Sequence, residues 1–416
     1  KPGLGSVWFK FDKRAYDKNR GKYIGQIFTS KGCVARCTFC QRSTKGYKVQ
    51  PLEHLENHLK YLKEELDVGF IQILDENFGS NKKQAYQAAD IFHKHNLIWF
   101  ASGVRCTSTT SADVKYYKDR GCSALKYGVE SGSQKILDIM EKNFKVEDVH
   151  KALNSCIEHG VFSPLAVMCG MPGEDEITAK ETGRFVGKIC SQLGVHPKVN
   201  PPEIFYALPL PGTPLWEYGE QLGVIGKNND DVVDYLTSVS DAGVYKRYYI
   251  NLNGAQTSEV LFWEYLIKFE ASKTFIKANN LNKELTEKFT GASKKEAIKN
   301  PRTSLKYSAL KFTTITYFVD KYCVGNKFFD SIPSSISYPV VKYLLYFEYL
   351  IQKLFSHNRS NNIFAYTKRV KRLNVNENNE RSSIKRSLRG HVMQNRKPLN
   401  KQFGEEKVQH ILRTGL

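Results

Sequence analysis

The stretch Thr29-Ser30-Lys31-Gly32-Cys33-Val34-Ala35-Arg36-Cys37-Thr38-Phe39-Cys40 decides how this chain is read. It follows a short run of strand type, Tyr23 to Thr29, and holds three of the nine cysteines within eight residues. Their spacing is C-x3-C-x2-C. Soft thiolates at this density on one loop suit a compact iron–sulfur cluster, which ordinarily takes four cysteines. The motif supplies three, so one iron is left without a cysteine, and an open coordination position marks a metal site that does chemistry. The alternative on the residues alone is a zinc site completed by a histidine. His54 is the nearest candidate, and it lacks the usual paired spacing. Cys106, Cys122, Cys156, Cys169, Cys190 and Cys323 are scattered, and they read as buried small hydrophobes.

Outward from this loop, strand-like and helix-like segments alternate. Strands are predicted at Tyr23 to Thr29, Phe70 to Leu74, Ile98 to Val104, Ala124 to Val129, Pro164 to Cys169 and Ile204 to Leu208. Helices are predicted at Pro51 to Leu66, Lys82 to His95, Ala112 to Arg120, Val146 to His159 and Ile177 to Leu193. Successive β–α units imply a parallel sheet with helices packed on it. Six units are too few to close an eight-stranded barrel, so the expected fold is α/β: a partial (β/α)6 barrel of TIM type. Past Gly219 the pattern changes. Gly223 to Asn253 reads as irregular. Thr257 to Asn279, Leu281 to Phe289, Lys295 to Asn300 and Leu305 to Lys321 read as helical or mixed, and Tyr338 to Phe355 as an amphipathic helix.

Each predicted strand ends in a polar or glycine-bearing cluster, at the rim where β/α barrels build their sites. The clusters are Leu74-Asp75-Glu76-Asn77-Phe78, Arg105, Gly128-Val129-Glu130-Ser131-Gly132-Ser133, Met168-Cys169-Gly170-Met171-Pro172-Gly173-Glu174, and Leu208-Pro209-Leu210-Pro211-Gly212-Thr213-Pro214-Leu215. Taken singly, each has an ordinary reading: a loop of solvated acids, a surface ion pair at Arg105, a serine cap on the next helix, a tight β–α turn.

Together with the cysteine run, these clusters resemble the radical S-adenosylmethionine (radical SAM) superfamily. The resemblance spans residues 22–220, about half of the chain. It implies a [4Fe-4S] cluster on Cys33, Cys37 and Cys40, whose free iron chelates the amino and carboxylate groups of SAM. One electron then breaks the sulfur–C5′ bond and gives a 5′-deoxyadenosyl radical that abstracts hydrogen from a substrate. By the same resemblance Phe39, Asp75, Glu76, Arg105, Glu130, Ser131, Gly170, Pro172 and Gly173 line the SAM site: Asp75 and Glu76 at the amino group, Arg105 at the carboxylate, Glu130 at the ribose, and the glycine turn at the adenine. The Asp-Glu-Asn-Phe and Pro-x-Pro-Gly-Thr-Pro-Leu segments resemble the cobalamin-binding-type branch, which includes methyltransferases and an anaerobic cyclase. No Asp-x-His-x-x-Gly cobalamin loop is present, so cobalamin is expected only through a part outside this chain. The second reading is a methylthiotransferase-like RNA-modifying enzyme. An electron donor of flavodoxin or ferredoxin type is implied.

The expected organisation is a lead-in at 1–21 that continues a longer protein, a radical SAM core at 22–220, a mainly helical region at 221–355, and a basic tail at 356–416. The net charge is +20, and half of it lies from Arg359 onward, where 14 Lys and Arg face 4 Asp and Glu. Such a tail reads as a flexible appendage able to meet nucleic acid or an anionic membrane surface. The cysteines and the lack of a signal peptide predict a reducing, cytoplasmic setting, with a peripheral membrane contact as the further expectation.

Overall fold

Short apolar runs rich in β-branched and aromatic residues set the frame. In this computed structural model residues 22–41, 44, 46–194, 196–197, 201–226, 228–238, 250–279, 315, 318–355, 384 and 387–395 are described. The chain enters by β1 (Tyr23–Ile27) and a small antiparallel hairpin of β2 (Ser30–Gly32) and β3 (Tyr47–Val49). Strands and helices then alternate: α1 (Leu52–Glu64), β4 (Val68–Ile73), α2 (Lys82–Lys94), β5 (Ile98–Val104), α3 (Ser111–Asp119) and β6 (Cys122–Tyr127). After α4 (Gln134–Ile139) and α5 (Val146–Glu158) come β7 (Ala166–Cys169), α6 (Glu176–Leu193) and β8 (Glu203–Tyr206).

Strands β1, β4, β5 and β6 pair in parallel in that order, with Gly25 opposite Ile71, Phe70 opposite Ile98 and Ala101 opposite Leu125. β7 and β8 form a second parallel pair. Two isolated bridges, Ala124 to Phe162 and Glu130 to Val167, carry the array from β6 to β7. Six parallel strands therefore follow one another in chain order, and no strand among the described residues joins β8 back to β1. This is the partial barrel that the sequence predicts.

The helices begin where local chemistry satisfies their first amides. Asn81 accepts from the Gln84 amide at 3.1 Å, and Thr110 with Asp113 forms a reciprocal capping box. Their inner faces meet the sheet in one core that joins Leu55, Leu59, Ala88 and Phe92 to Ile71, Trp99, Leu125 and Val167. Each fully buried large apolar side chain there contributes about 1.5–3 kcal/mol.

Beyond the barrel lie α7 (Pro214–Gln221), α8 (Asn229–Ser238), the long α9 (Thr257–Ala278), a π-helical turn at Val319–Cys323, α10 (Lys327–Ser331), α11 (Ser334–Phe355) and α12 (Leu388–Gln394). α9 is buried almost all round and lies close on α6. A Cβ on Gly187 of α6 would stand 2.4 Å from the Ala271 carbonyl oxygen, and one on Gly183 would stand 2.7 Å from that of Ile267. The two glycines let the helix backbones touch.

Within Gly223 to Asn253, read as mixed and irregular, lies α8, which opens with Asp230 and Asp231 in its first turn. One expectation changes: the tail, read as a flexible appendage, contributes Ile384, Leu388 and Val392 to a core shared with Leu215, Trp216, Tyr218 and Ile225. Leu388 and Val392, four apart on α12, share one face of that helix amid basic residues. The helices expected at Leu281 to Phe289 and Lys295 to Asn300 lie outside the described residues. No helix among those residues is long and apolar enough to cross a membrane.

Candidate functional site

The cysteine loop leaves β2 through Gly32, whose φ of 84° suits glycine and whose missing Cβ leaves room for the Gly46 carbonyl. Within the loop the Cys40 amide donates to the Cys37 carbonyl at 3.3 Å, and the Ala35 amide donates to Cys33 Sγ at 3.4 Å. Thr38 fixes the loop to the barrel. Its amide donates to the Met140 carbonyl at 2.9 Å, its hydroxyl to the Ile139 carbonyl at 3.2 Å, and its carbonyl accepts from the Leu215 amide at 3.0 Å. Thr38 is wholly buried. The sequence reading passed over this residue, although its place between two cysteines was the available signal.

The donor set fits a cluster. All nine cysteines are free thiols, and the six scattered ones are buried. The Cys40 residue is exposed, yet burial of its thiol and the neighbouring Cys37 and Cys33 push its pKa up to about 11. Three thiols are thus near enough to repel as thiolates, and a cation among them would reverse that balance. Among the described residues, no three His, Cys, Asp or Glu side chains converge tightly enough to hold one metal ion. A cubane carries its irons on separate corners and draws on thiolates that stand apart.

The strand ends face this loop. At the end of β6, Glu130 has a left-handed backbone (φ 63°) and bridges to β7, its carbonyl accepting from the Met168 amide at 2.6 Å. Its carboxylate meets Lys142 Nζ at 3.3 Å. Lys142 is almost wholly buried, its side chain 7% exposed against 17% for Glu130. Burial opposes its charge, but Glu130 and Cys37 hold its pKa above the ordinary lysine value. The ammonium also lies 5.8 Å from the centre of the Phe39 ring. Lys142 stands between two left-handed residues, Glu141 (φ 52°) and Asn143 (φ 53°). Such backbone costs about 1–3 kcal/mol per residue and concentrates at functional sites. Arg105 donates to the Lys142 carbonyl at 2.6 Å and lies over Phe144. Lys142 also escaped the sequence reading, because a lysine in a turn ordinarily reads as solvated.

Several expected SAM contacts turn out to be occupied within the chain. The Asp75 carboxylate accepts from the Thr29 amide and hydroxyl at 2.7 and 2.6 Å, and from the Ser30 amide and hydroxyl at 3.1 and 2.6 Å. Burial raises its pKa and those bonds oppose the rise. All its acceptor capacity goes to tying the end of β4 to the junction of β1 and β2, so its side chain is a brace and not a free ligand. Glu76 beside it is exposed. The Ser131 hydroxyl pairs with Thr182 at 3.1 Å and accepts from the Ser133 amide. Ser133 occupies the cap position of α4 but makes no side-chain cap bond. At the end of β7 the turn through Gly170, Met171, Pro172 and Gly173 is closed from within, because Glu174 Oε2 accepts from the Gly170 and Met171 amides at 2.5 and 3.1 Å. Asn253 braces this turn through the Met171 and Glu174 carbonyls.

Some polar atoms at these same strand ends have no partner. Both amide atoms of Asn77, the Ser133 hydroxyl and Glu174 Oε1 are buried with no hydrogen bond among the described residues. Each such group costs about 1–3 kcal/mol, and a polar ligand across the strand ends is the kind of group that would meet them. A cleft of about 700 Å³ lies beside the hairpin, near Lys31, Lys48 and His58, and another of about 630 Å³ lies among α5, α6 and α9. Neither includes a loop cysteine.

Residues 27–186 match the model of the Radical SAM superfamily. An uncharacterized methyltransferase of Pyrococcus horikoshii is 27% identical over 215 residues, 50% of this chain and 45% of that protein. The cytidylyl-2-hydroxyethylphosphonate methyltransferase of Streptomyces wedmorensis is 24% identical over 39% of this chain and 33% of its own length. The chain thus spans less than half the length of these curated relatives. A solved structure, the cobalamin-dependent S-adenosylmethionine radical enzyme OxsB, superposes with a TM-score of 0.45 at 15% identity, over 83% of this chain and 58% of that one. Residues 27–186, which hold the cysteine loop and the ends of β4 to β7, are a radical SAM domain.

Proposed function

We propose that this chain carries the catalytic core of a radical SAM enzyme, with Cys33, Cys37 and Cys40 as ligands of a [4Fe-4S] cluster and SAM lying across the ends of β4 to β7. When bound, such a cluster supplies the electron that cleaves SAM to methionine and a 5′-deoxyadenosyl radical. The chain's own residues orient the reactants. Thr38 holds the cysteine loop against α4 and α7. Arg105 and Lys142 present two cations to the SAM carboxylate. Glu130, neutralised in part by Lys142, accepts from the ribose hydroxyls. Phe39 shields the loop, and the Gly170 to Gly173 turn lies against the adenine. At Asp75 and Glu76 the backbone carbonyls meet the amino group, since the Asp75 carboxylate is taken.

The observation that carries this reading is a loop of three free thiols beside a buried ammonium paired with Glu130, at one end of a parallel sheet. Anaerobic reconstitution tests it. The chain should take up about four irons with the spectrum of a [4Fe-4S] centre, and alanine at any one of the three cysteines should remove that centre. A full cluster in Cys37→Ala would refute the ligand assignment.

The reaction class is methyl transfer or cyclisation, with electrons from a flavodoxin- or ferredoxin-type donor; any cobalamin involved is held by a part outside this chain. The methyltransferase relatives favour the first. The net charge of +20 keeps RNA modification as the second reading. A peripheral membrane contact is supported by the outward face of α11, where Ile336, Val340, Tyr343 and Phe347 are exposed. Binding to anionic vesicles, and its loss in Tyr343→Asp, would test that contact.

A further inference from the structure

We infer that the C-terminal segment 387–395, with Ile384, is a latch on the cysteine loop, and that Arg389 is its positioning residue. The inference rests on the reading of that loop as the cluster ligand. Arg389 Nη2 donates to the Arg36 carbonyl at 2.7 Å, and its Nε donates to Glu141 at 2.9 Å. Arg36 lies between Cys33 and Cys37, so a side chain 353 residues away in sequence pins the peptide joining two ligands. Ser387 binds the other oxygen of Glu141 at 2.5 Å.

Glu141 is the hub. Its left-handed backbone follows Met140, whose carbonyl holds Thr38. The loop is therefore gripped at Thr38 from the end of α4 and at Arg36 from the latch, and both grips meet at residues 139–141. The latch is itself anchored. Leu388 and Val392 are buried against Trp216 and Tyr218, the Val392 carbonyl accepts from Gln221 at 3.1 Å, and the His391 ring stands edge-on to Tyr218 at 5.7 Å.

A free loop must be ordered each time it closes on a cluster, at about 1–2 kcal/mol for each residue fixed. The latch removes part of that cost by ordering the three residues between the first two ligands beforehand. Arginine suits the task because its planar fork reaches a carbonyl and a carboxylate at once, whereas lysine offers a single point of charge.

The test uses the full chain, reconstituted anaerobically, and follows iron transfer to an excess of a ferrous chelator alongside thermal unfolding. Arg389→Ala should release iron about tenfold faster than the wild type, with the same initial iron content. Arg389→Lys should fall between them. Glu141→Gln, which alters no residue of the segment, should also speed release, and it decides the matter if Arg389→Ala cannot be loaded. A purely structural Arg389 would lower the melting temperature and leave the release rate alone. That outcome in a loaded variant, or a wild-type rate in Glu141→Gln, overturns the latch. A wild-type chain that takes up no iron overturns the cluster reading itself, and the latch with it.

Discussion

At Glu174 a carboxylate lies buried, closing its own turn through two backbone amides. Burial pushes its pKa up to about 8, and the two amide bonds only partly oppose the rise. A carboxyl whose folded pKa lies above its unfolded value favours the fold below the unfolded pKa. That contribution is lost as pH rises through the folded pKa, at about 1.4 kcal/mol for each tenfold difference in proton affinity. The chain should therefore lose stability between about pH 4.5 and 8. Glu174→Gln keeps an acceptor for both amides and should flatten that slope, as read from urea unfolding at several pH values. Parallel slopes would contradict the assignment. Legibility at this scale is uneven. The cysteines, Glu130 and Arg105 stand out in sequence because their types and spacing are informative. Asp75 stands out for the wrong reason: an acid at a strand end reads as a ligand, and only the fold places Thr29 and Ser30 around it.

Among the elements, the contact of α6 with α9 decides how the helical region joins the barrel. Gly183 and Gly187 set the approach of the two helices, with no space for a Cβ at either. In an open helix, Gly→Ala gains about 0.5–1 kcal/mol. At Gly187 the sign should reverse, and Gly187→Ala should cost about 1–3 kcal/mol through overpacking. Chemical denaturation reads the sign directly, and a more stable variant would contradict the packing. The strands and amphipathic helices of the barrel were legible because their periods are long enough to show. The hairpin of β2 and β3 and the helices α4 and α7 were not. They are three to eight residues long and are held by tertiary partners such as Thr38 and Leu215, which no local pattern announces.

On the scale of the whole molecule, the C-terminal segment joins the site it was expected to hang from. Its apolar triad is diluted among fourteen basic residues, and average composition hides a spacing of four. The charge excess read as a solvated tail, while Leu388 and Val392 lie beneath the helix that supports the cysteine loop. The direct measurement of what that loop does is product analysis after the reconstituted chain is incubated anaerobically with dithionite and SAM. A cluster on Cys33, Cys37 and Cys40 predicts 5′-deoxyadenosine and methionine from the wild type and neither from Cys37→Ala. Formation of S-adenosylhomocysteine alone, or equal 5′-deoxyadenosine from Cys37→Ala, would contradict it.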